Sequence, residues 1–600
     1  MTETIISMAK IGEKAAAERL LWRRLLVFGL CAGSWLALGL AMGFLIGAGG
    51  WSWPRVMILV LFLAGLPWTL LAFWNSVIGF VILCLVRDPV GYTNPALRAT
   101  PKDSPIVART AICLMVRHEN VAQVFARLAT MIDSLKSSHT DDNFAFHVLS
   151  DSSRPEIAAA EEQAFAALQA RYPLPGFLHY RRRAANTGFK AGNLREFVES
   201  AVGTYDYVIV LDADSLMSGA AMLRLVRAMQ ANPTLGILQT LVVGRPAESA
   251  FARIFQFGMR HGMRTHTVGI AWWQGSSGPY WGHNAIIRLA PFVAHCDLPP
   301  LPGRPPLGGH VLSHDQVEAA LMRAAGYDVR VIADEFESWE ENPPSLPDFI
   351  KRDLRWCQGN MQYVKLLARP GFRPMGRFQL VNAVMMYLGA PFWVLMLAAG
   401  LAAAMLHSAS GASPFPTALA FGLYFGMLGI GFAPRLLGVL DILFRRGEAK
   451  RYGGAPRLVA GMLADAAFTL LIGPLMMIAQ ATFVTGLLFG RRVLWEAQNR
   501  DGHEVSVREA WRGLWPQMLF GLLFTGALAA VAPGALPWAA PTIAACILAV
   551  PFTCATAGGA FSRWMVRRRL CAIPDEYPPA PELLRLEVRD HSSAPRAVER

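Results

Sequence analysis

The chain has 600 residues, of which 54% are hydrophobic and only 16% are charged. With a mean hydropathy of +0.33, it is too apolar for an ordinary soluble multidomain protein, so the composition predicts an integral membrane protein. The 56 Lys and Arg outnumber the 43 Asp and Glu, but the arginines cluster beside apolar segments. This is what the positive-inside rule requires, so the excess charge indicates membrane topology and no nucleic-acid partner is expected.

The N-terminal region predicts a membrane anchor. Residues 1–24 are basic and lead into an apolar stretch without a signal-peptide cleavage site, so they are expected to stay in the cytoplasm. Within residues 25–87, two apolar stretches are each long enough for a helix that crosses a hydrocarbon core of about 30 Å. The polar region 88–378 then returns to the cytoplasm.

Four strand-like apolar runs alternate with helical patterns in this polar region. The runs lie at 110–116, 144–149, 177–180 and 205–211. The alternation predicts a parallel sheet with crossover helices, an α/β Rossmann-like domain. Ligands of such sheets bind beyond the carboxyl ends of the strands, and Asp151 and Asp212 are expected there.

The second half of the chain is predicted to return to the membrane. Transmembrane helix pairs are expected in 379–444 and 517–562, with cytoplasmic loops in 445–516 and a cytoplasmic, disordered tail in 563–600. Basic loops flank the apolar stretch 458–490 at both ends, so it is expected to turn back. Either a two-helix hairpin broken at Gly473-Pro474 or helices lying in the interface would satisfy this pattern.

An Asp-x-Asp motif ends the apolar run 207–211. A lone motif of this kind is more often a surface turn, but the preceding buried-strand pattern favours a ligand site. Divalent cations such as Mg²⁺ or Mn²⁺ prefer oxygen ligands, and Asp212 and Asp214 can converge on one ion. The motif therefore predicts a metal held against a diphosphate.

Two further motifs begin helical patterns. Residues 186–193 form a glycine-containing loop that presents backbone N–H groups and Lys190 to an anionic ligand, although an ordinary capped helix start fits equally well. Ser313 and Gln316 predict a capping box that places Asp315 in the first helical turn. Asp315 is then either an acid that suits the helix dipole or a general base for transfer to a sugar hydroxyl.

Aromatic and arginine side chains are candidates for sugar and phosphate contacts. Arg352, Arg355 and Trp356 share one helical face, which suits phosphate and sugar binding but also a juxtamembrane anchor. The stretch 272–278, with Trp273 and Gly275, is either a sugar-binding lining or aromatic core with tight turns. Nothing in the local sequence separates these two interpretations.

In this order, the motifs resemble those of the membrane-embedded, inverting family 2 glycosyltransferases, which include bacterial cellulose synthase and hyaluronan synthase. The strings 185–193, 280–288 and 313–323 are similar to the glucans biosynthesis glucosyltransferase H family. The base motif has Ser-His-Asp where cellulose synthases have Thr-Glu-Asp, which points away from cellulose.

The resemblance implies a GT-A glycosyltransferase domain inserted into a multi-pass transmembrane domain of the bacterial inner membrane. It implies UDP-glucose as donor and a growing β-1,2-linked glucan of the osmoregulated periplasmic type as product, made processively and exported. The family motifs map onto Asp315 as base, Asp151, Asp212, Arg352 and Arg355 at the donor and Trp356 at the acceptor, and by analogy with cellulose synthase Trp495, Gln498 and Arg500 lie in a gating loop. The local patterns add Lys190 and Asn193 as donor candidates and Trp273 and Gly275 as acceptor candidates.

Two alternatives stay open at this point. One is a single-transfer glycosyltransferase that loads a sugar onto a polyprenyl phosphate, and the other is a non-catalytic membrane transporter or scaffold. Membrane lipids are expected partners in each case, and soluble or periplasmic protein partners are possible.

Overall fold

The centre of the protein is an eight-stranded mixed sheet, seen in a computed structural model that describes residues 2–101, 103–138, 141–408, 416–493 and 503–593. The strand order is β3-β2-β1-β4-β7-β6-β8-β5. In chain order the strands are β1 (Thr110–Val116), β2 (Phe144–Ser150), β3 (Leu178–Arg182), β4 (Tyr207–Asp212), β5 (Leu216–Met217), β6 (Leu235–Gly244), β7 (Ala285–Arg288) and β8 (Asp328–Glu340).

Helices cover both the sheet and the apolar parts of the chain. In chain order the α-helices in the described ranges are α1 (Thr2–Gly47), α2 (Trp53–Leu85), α3 (Pro89–Thr93), α4 (Pro95–Arg98), α5 (Val121–Lys136), α6 (Pro155–Arg171), α7 (Phe189–Ala201), α8 (Gly219–Ala231), α9 (Ala250–Gln274), α10 (Leu289–His295), α11 (Asp315–Ala324), α12 (Leu346–Met361), α13 (Pro374–Ser408), α14 (Thr417–Phe444), α15 (Glu448–Arg451), α16 (Ala455–Leu488), α17 (Val507–Val531), α18 (Leu536–Ala557), α19 (Gly559–Arg568) and α20 (Pro581–Ser593).

The sheet contains more strands than the four predicted, and as a whole it is mixed. Strands β3, β2, β1 and β4 are parallel as predicted, but β7 runs antiparallel between β4 and β6. Strand β8 pairs with β6 in parallel. The carboxyl ends of β1, β2, β4, β6 and β8 therefore lie at one edge of the sheet, where a ligand site of such a domain is expected.

Two helical layers sandwich the sheet. On one face, α5 presents Leu128, Ile132 and Leu135 at helical spacing to the strands, and all three are at most 1% exposed. On the other face, buried apolar residues of α7, α10 and α11 pack against the same strands. The sheet domain, whose strands lie in the chain between α2 and α13, thus has its own hydrophobic core.

Seven helices in the described part of the chain are long and apolar enough to cross a membrane. The chain is therefore a multi-pass membrane protein. These candidate spans are Glu18–Gly47, Trp53–Leu85, Pro374–Leu406, Thr417–Phe444, Ala455–Leu488, Val507–Val531 and Pro533–Ala557.

Residues 458–488 lie in one uninterrupted helix, α16, so the predicted hairpin broken at Gly473-Pro474 is wrong. Near the start of α16, Gly461 packs against the ring of Phe257 in α9. Just after its end, the Val493 backbone N–H donates to Gln358 Oε1 of α12 at 2.8 Å. Both ends of α16 thus contact helices that pack against the sheet domain, an arrangement that favours the interfacial alternative.

The predicted disordered C-terminal tail is also wrong for the described residues up to Ser593. Helices α19 and α20 form there, and α20 lies against α5. Leu586 of α20 is 1% exposed in the core of the sheet domain. We call residues 569–593 the C-terminal strap.

Candidate active site

Asp151 follows β2 and is held by an arginine. Arg183 Nε donates to Asp151 Oδ1 at 2.7 Å and Arg183 Nη2 donates to Oδ2 at 2.9 Å. The side chains of both residues are 6% exposed, so this is a buried bidentate pair. Sequence reasoning missed Arg183, because it lies in a run of three arginines that carries no spacing signal.

The same arginine fixes the loop that starts α7. Arg183 donates to the carbonyl oxygens of Thr187 and Phe189, each at 3.0 Å. Gly188 has φ +69°, and a Cβ there would lie 3.0 Å from Gly192 Cα, so only glycine fits this turn without strain. The loop predicted to face an anionic ligand is therefore joined to the Asp151 side chain through Arg183.

Lys190, in the first turn of α7, reaches the end of β4. Its ammonium group donates to Asp212 Oδ1, and also to the Gly282 carbonyl oxygen at 2.8 Å. The Asp212 side chain is 32% exposed, whereas Asp214 is buried. The structure thus brings together Lys190 and the two predicted metal-binding aspartates at one edge of the sheet.

Glu340, at the end of β8, adds a third carboxylate that sequence reasoning missed. Burial raises the pKa of Glu340; the charges of His283 and Arg352 lower it, and those of Asp214 and Asp212 raise it. His283 Nε2 lies 3.7 Å from Glu340 Oε2. Glu340 lies far along the chain from the Asp-x-Asp motif, and only the β7 insertion and the β6–β8 pairing bring it close.

Asp315 lies close to Gly282, whose carbonyl oxygen accepts from Lys190. A Cβ at Gly282, which has φ +82°, would lie 3.3 Å from Asp315 Cβ, so glycine allows the loop to approach the first turn of α11. The predicted capping box is wrong: His314 is the N-cap residue of α11 and its side chain makes no capping hydrogen bond. Asp315 is the first residue of the helix.

Several neighbouring groups act on the protonation of Asp315. Burial raises the pKa of Asp315, His314 and Lys190 lower it, and Glu318 raises it; the net direction is upward. His314 Nδ1 lies 2.8 Å from Glu318 Oε2, and both side chains are buried. Burial alone would lower the pKa of His314, but Glu318 and Asp315 raise it overall, so a cation is favoured beside Asp315.

The arginines and tryptophan of α12 complete the site. Arg352 and Arg355 are mostly buried, whereas Trp356 is 47% exposed. The Arg352 guanidinium lies 4.9 Å from the centre of the Trp356 ring, a cation–π contact. Just after α12, the Tyr363 hydroxyl donates to the Ser313 carbonyl oxygen at 2.9 Å, which ties this helix to the base motif.

Three predicted site residues have structural contacts. Asn193 is 1% exposed and its amide donates to the Leu149 carbonyl oxygen, so the prediction of a donor contact is wrong. Trp273 is fully buried, its indole donates to Asn75 Oδ1 at 2.8 Å, and the predicted acceptor contact is wrong. Gly275 follows α9 close to Leu20 of α1 and is half-buried, and its acceptor role stays a prediction.

The predicted gating residues Trp495, Gln498 and Arg500 lie outside the described residues. In the described ranges, no group of three or more His, Cys, Asp and Glu side chains is arranged to hold a metal. A cation at Asp212 and Asp214 would therefore take its remaining ligands from substrate phosphates and water, as Mg²⁺ commonly does.

Two family models match the region that contains this site. The model of "Glycosyl transferase family 2" matches residues 118–294, and that of "Glycosyl transferase family group 2" matches residues 207–432. The matched ranges include the Asp-x-Asp motif, and the second also includes Asp315 and α12. The GT-A-type domain predicted within a transmembrane domain is confirmed by these matches together with the sheet and the apolar helices.

A solved structure, the mannosyltransferase PcManGT from Pyrobaculum calidifontis in complex with GDP-Man and Mn²⁺, aligns with a TM-score of 0.41 and 17% identity. The alignment covers 65% of this chain and 99% of that one.

Relatives align over most of the chain. Glucans biosynthesis glucosyltransferase H of Vibrio cholerae is 35% identical over 571 residues, which cover 92% of this chain and 77% of the relative. The protein of the same name from Bradyrhizobium diazoefficiens is 37% identical, with 89% and 73% covered, and that from Cereibacter sphaeroides is 38% identical, with 83% and 85% covered. The chain therefore belongs to the glucans biosynthesis glucosyltransferase H family, and it is a family 2 glycosyltransferase that acts in glucan synthesis.

Proposed function

We propose that the protein transfers glucose from UDP-glucose, with inversion at the anomeric carbon, to the end of a growing glucan. One observation carries this proposal: Gly282 lies next to Asp315, and its carbonyl oxygen accepts a hydrogen bond from Lys190, which also pairs with Asp212. This arrangement places a base for the acceptor hydroxyl close to cationic groups for a diphosphate, as a displacement reaction requires.

The donor would lie along the carboxyl ends of β2 and β4. Asp151, held by Arg183, would face the nucleobase, and Lys190, Arg352 and Arg355 would face the diphosphate. Asp212 and Asp214 would hold Mg²⁺ or Mn²⁺, and their paired carboxylates at a partly open strand end fit such an ion. When bound, the ion would offset the negative charge that develops on the leaving UDP.

The proposed transfer needs one proton acceptor. Asp315 takes the proton of the acceptor hydroxyl as the hydroxyl oxygen forms a bond to the anomeric carbon. The bond from that carbon to the diphosphate oxygen breaks, and UDP leaves on the opposite face. An α-linked donor gives a β-linked product. The raised pKa of Asp315 makes its carboxylate a better proton acceptor than an ordinary aspartate.

The acceptor chain would stack on Trp356 and pass between the membrane helices. The exposed indole face supports this role. We place the sheet domain and both termini on the cytoplasmic side of the inner membrane, and we assign the product as the β-1,2-linked backbone of osmoregulated periplasmic glucans. The hydrogen bond from Val493 to Gln358 ties α12 to the segment that leads to Trp495, Gln498 and Arg500, in keeping with a gating role for them.

Reconstitution tests the donor, the product and the base together. The purified protein would be placed in lipid vesicles with Mg²⁺ and labelled UDP-glucose, and the linkage of any polymer would be analysed. A β-1,2-linked glucan is expected from the unaltered chain. The variant Asp315→Asn should bind UDP-glucose normally but lose transfer by at least about 100-fold, because it cannot accept the proton. Asp297→Asn, on the loop after α10, is a matched control that should keep activity.

Each other outcome has a distinct meaning. Substantial turnover by Asp315→Asn would reject it as the base. A lipid-extractable monosaccharide would favour single transfer onto a polyprenyl phosphate, and polymer retained on the donor side of sealed vesicles would contradict export. No turnover with any UDP-sugar would favour a non-catalytic scaffold.

A further inference from the structure

Both ends of the C-terminal strap are buried, the start among α9, α16 and neighbouring helices and the far end in the sheet domain. At its start, Cys571, Ala572 and Ile573 are at most 1% exposed. At its far end, Glu582 Oε1 accepts a hydrogen bond of 2.6 Å from Ser134 Oγ of α5, and Leu586 lies in the sheet core. The strap therefore links the last membrane-associated helix to the sheet domain.

Between these ends, Asp575 joins three parts of the molecule. Its Oδ2 atom accepts from Arg260 Nη1 of α9 at 2.5 Å and from Trp339 Nε1 of β8 at 3.0 Å. Arg260 Nε also donates to Glu335 Oε2 of β8 at 2.7 Å. Asp575, Arg260 and Trp339 are all buried, so solvent does little to weaken these contacts.

A second set of contacts joins the strap to α9. Arg253 Nε donates to the Leu570 carbonyl oxygen at 2.7 Å, and Arg253 Nη2 donates to Glu576 Oε2 at 2.9 Å. Helix α9 in turn packs against α2 and α14, which are candidate membrane spans. Two ion pairs on one helix therefore connect the strap to the membrane domain as well as to β8.

Glu340, the residue after Trp339, belongs to the candidate active site. Neighbouring residues of a strand point to opposite faces, so a strand that holds Trp339 against the strap turns Glu340 toward the other side. On that side, Glu340 Oε2 lies 3.7 Å from His283 Nε2. The neighbouring Gly282 carbonyl oxygen accepts from Lys190, which pairs with Asp212. The position of Glu340 thus depends on contacts that Asp575 makes on the opposite face of β8.

We propose that Asp575 is a positioning residue for glucosyl transfer, and that the C-terminal strap holds β8 so that Glu340 stays beside Asp212 and Asp214. The proposal rests on the proposed function for the location of the transfer site. A purely stabilising strap is the competing explanation, and it makes a different prediction. It would lower the amount of folded enzyme without changing the turnover of each folded molecule.

Point variants separate these explanations, since deleting the strap could prevent folding. Asp575→Asn keeps an acceptor for the Trp339 indole but loses the charge that pairs with Arg260. Trp339→Phe keeps a ring in the strand but loses the N–H donor. Glu587→Gln, an exposed position on α20, is the matched control. Each would be reconstituted as the full chain, and UDP release from UDP-glucose would be measured per monodisperse protein.

We expect kcat to fall about tenfold or more in Asp575→Asn and in Trp339→Phe, because small displacements of a site group have large kinetic effects. Asp575→Glu should recover part of the loss, and Glu587→Gln should match the unaltered chain. Hydrogen exchange gives a second readout that needs no turnover. The amides of residues 335–341 should exchange faster in Asp575→Asn than in Glu587→Gln.

Unchanged kcat per folded molecule together with unchanged exchange at 335–341 would overturn the proposal, even if Asp575→Asn lowered the thermal stability. If the unaltered chain released no UDP from UDP-glucose, the proposed function would fail by itself. Exchange at residues 335–341 would then still decide whether the strap holds β8.

Discussion

The protonation of Asp315 depends on a few neighbouring charged groups. Burial raises its pKa, and His314 opposes this rise from the preceding position. Lys190 of α7 also opposes it, whereas Glu318, one turn along α11, adds to it. A general base acts only when ionised, so activity should be lost as the pH falls through the raised pKa of Asp315.

Replacing His314 should shift the pH below which activity is lost. His314→Gln removes a cation that favours the ionised form of Asp315, so the pKa of Asp315 should rise further. The acidic limb of kcat/KM for UDP release should therefore shift to higher pH. His310→Gln, in the loop before the motif, is the matched control and should leave the limb in place. An unshifted limb in His314→Gln would contradict a charge on this imidazole.

The residues of the site were predictable to different degrees. Asp151 and Asp212 were predicted at one place because parallel strands end at a common edge, and Lys190 was predicted from the glycine-containing start of a helix. Glu340 was not found, because its place depends on an antiparallel strand inserted between β4 and β6. The predicted acceptor role of Trp273 was wrong for another reason. An aromatic residue among glycines has the same local pattern in a sugar site and in a packed core.

At the scale of elements, the docking of the sheet domain on the membrane helices depends on small residues. Helix α9 packs along α2, and a Cβ at Gly79 would lie 1.8 Å from the Thr265 carbonyl oxygen. A Cβ at Gly269 would lie 2.0 Å from the Asn75 carbonyl oxygen. The two backbones approach so closely that no side chain fits between them, as in many packed membrane helices.

Gly79→Ala should therefore separate the two helices. We expect a destabilisation of about 1–3 kcal/mol from overpacking, seen as a lower Tm of the protein in detergent. Gly65→Ala lies in the same helix with nothing within 4 Å of the new methyl group, so it should leave the Tm unchanged or raise it slightly. Equal effects of the two substitutions would show that the close crossing does not limit stability.

The elements themselves were only partly predictable. Apolar length identified α1, α2, α13, α14, α17 and α18, because the bilayer sets a minimum length. Gly473-Pro474 did not break α16, since neighbouring helices on several sides pack against it and support the backbone there. The order of the strap comes from partners hundreds of residues away, such as Ser134 and Arg260, which no local pattern contains.

At the scale of the whole molecule, contacts with the sheet domain constrain the membrane topology. Tyr452, in the loop after α14, is buried with its ring 6.1 Å from that of Phe257 in α9. Val493, after α16, contacts Gln358, and the C-terminal strap contacts α5. All three points lie on the side of the sheet domain. These contacts are satisfied if three pairs of helices cross the membrane, namely α1–α2, α13–α14 and α17–α18. Helix α16 must then begin and end on the side of the sheet domain.

Cysteine labelling would test this topology. In a background without the eight native cysteines, Trp51→Cys lies between α1 and α2, Arg446→Cys lies before α16, and Phe489→Cys follows α16. All three positions are exposed. A membrane-impermeant maleimide added to spheroplasts should label Trp51→Cys, whereas the other two should react only after permeabilisation, because both ends of α16 lie on the domain side. If α16 crossed the bilayer, Phe489→Cys would be labelled from outside while Arg446→Cys stayed protected, and Val493 could then not reach Gln358 on the domain side.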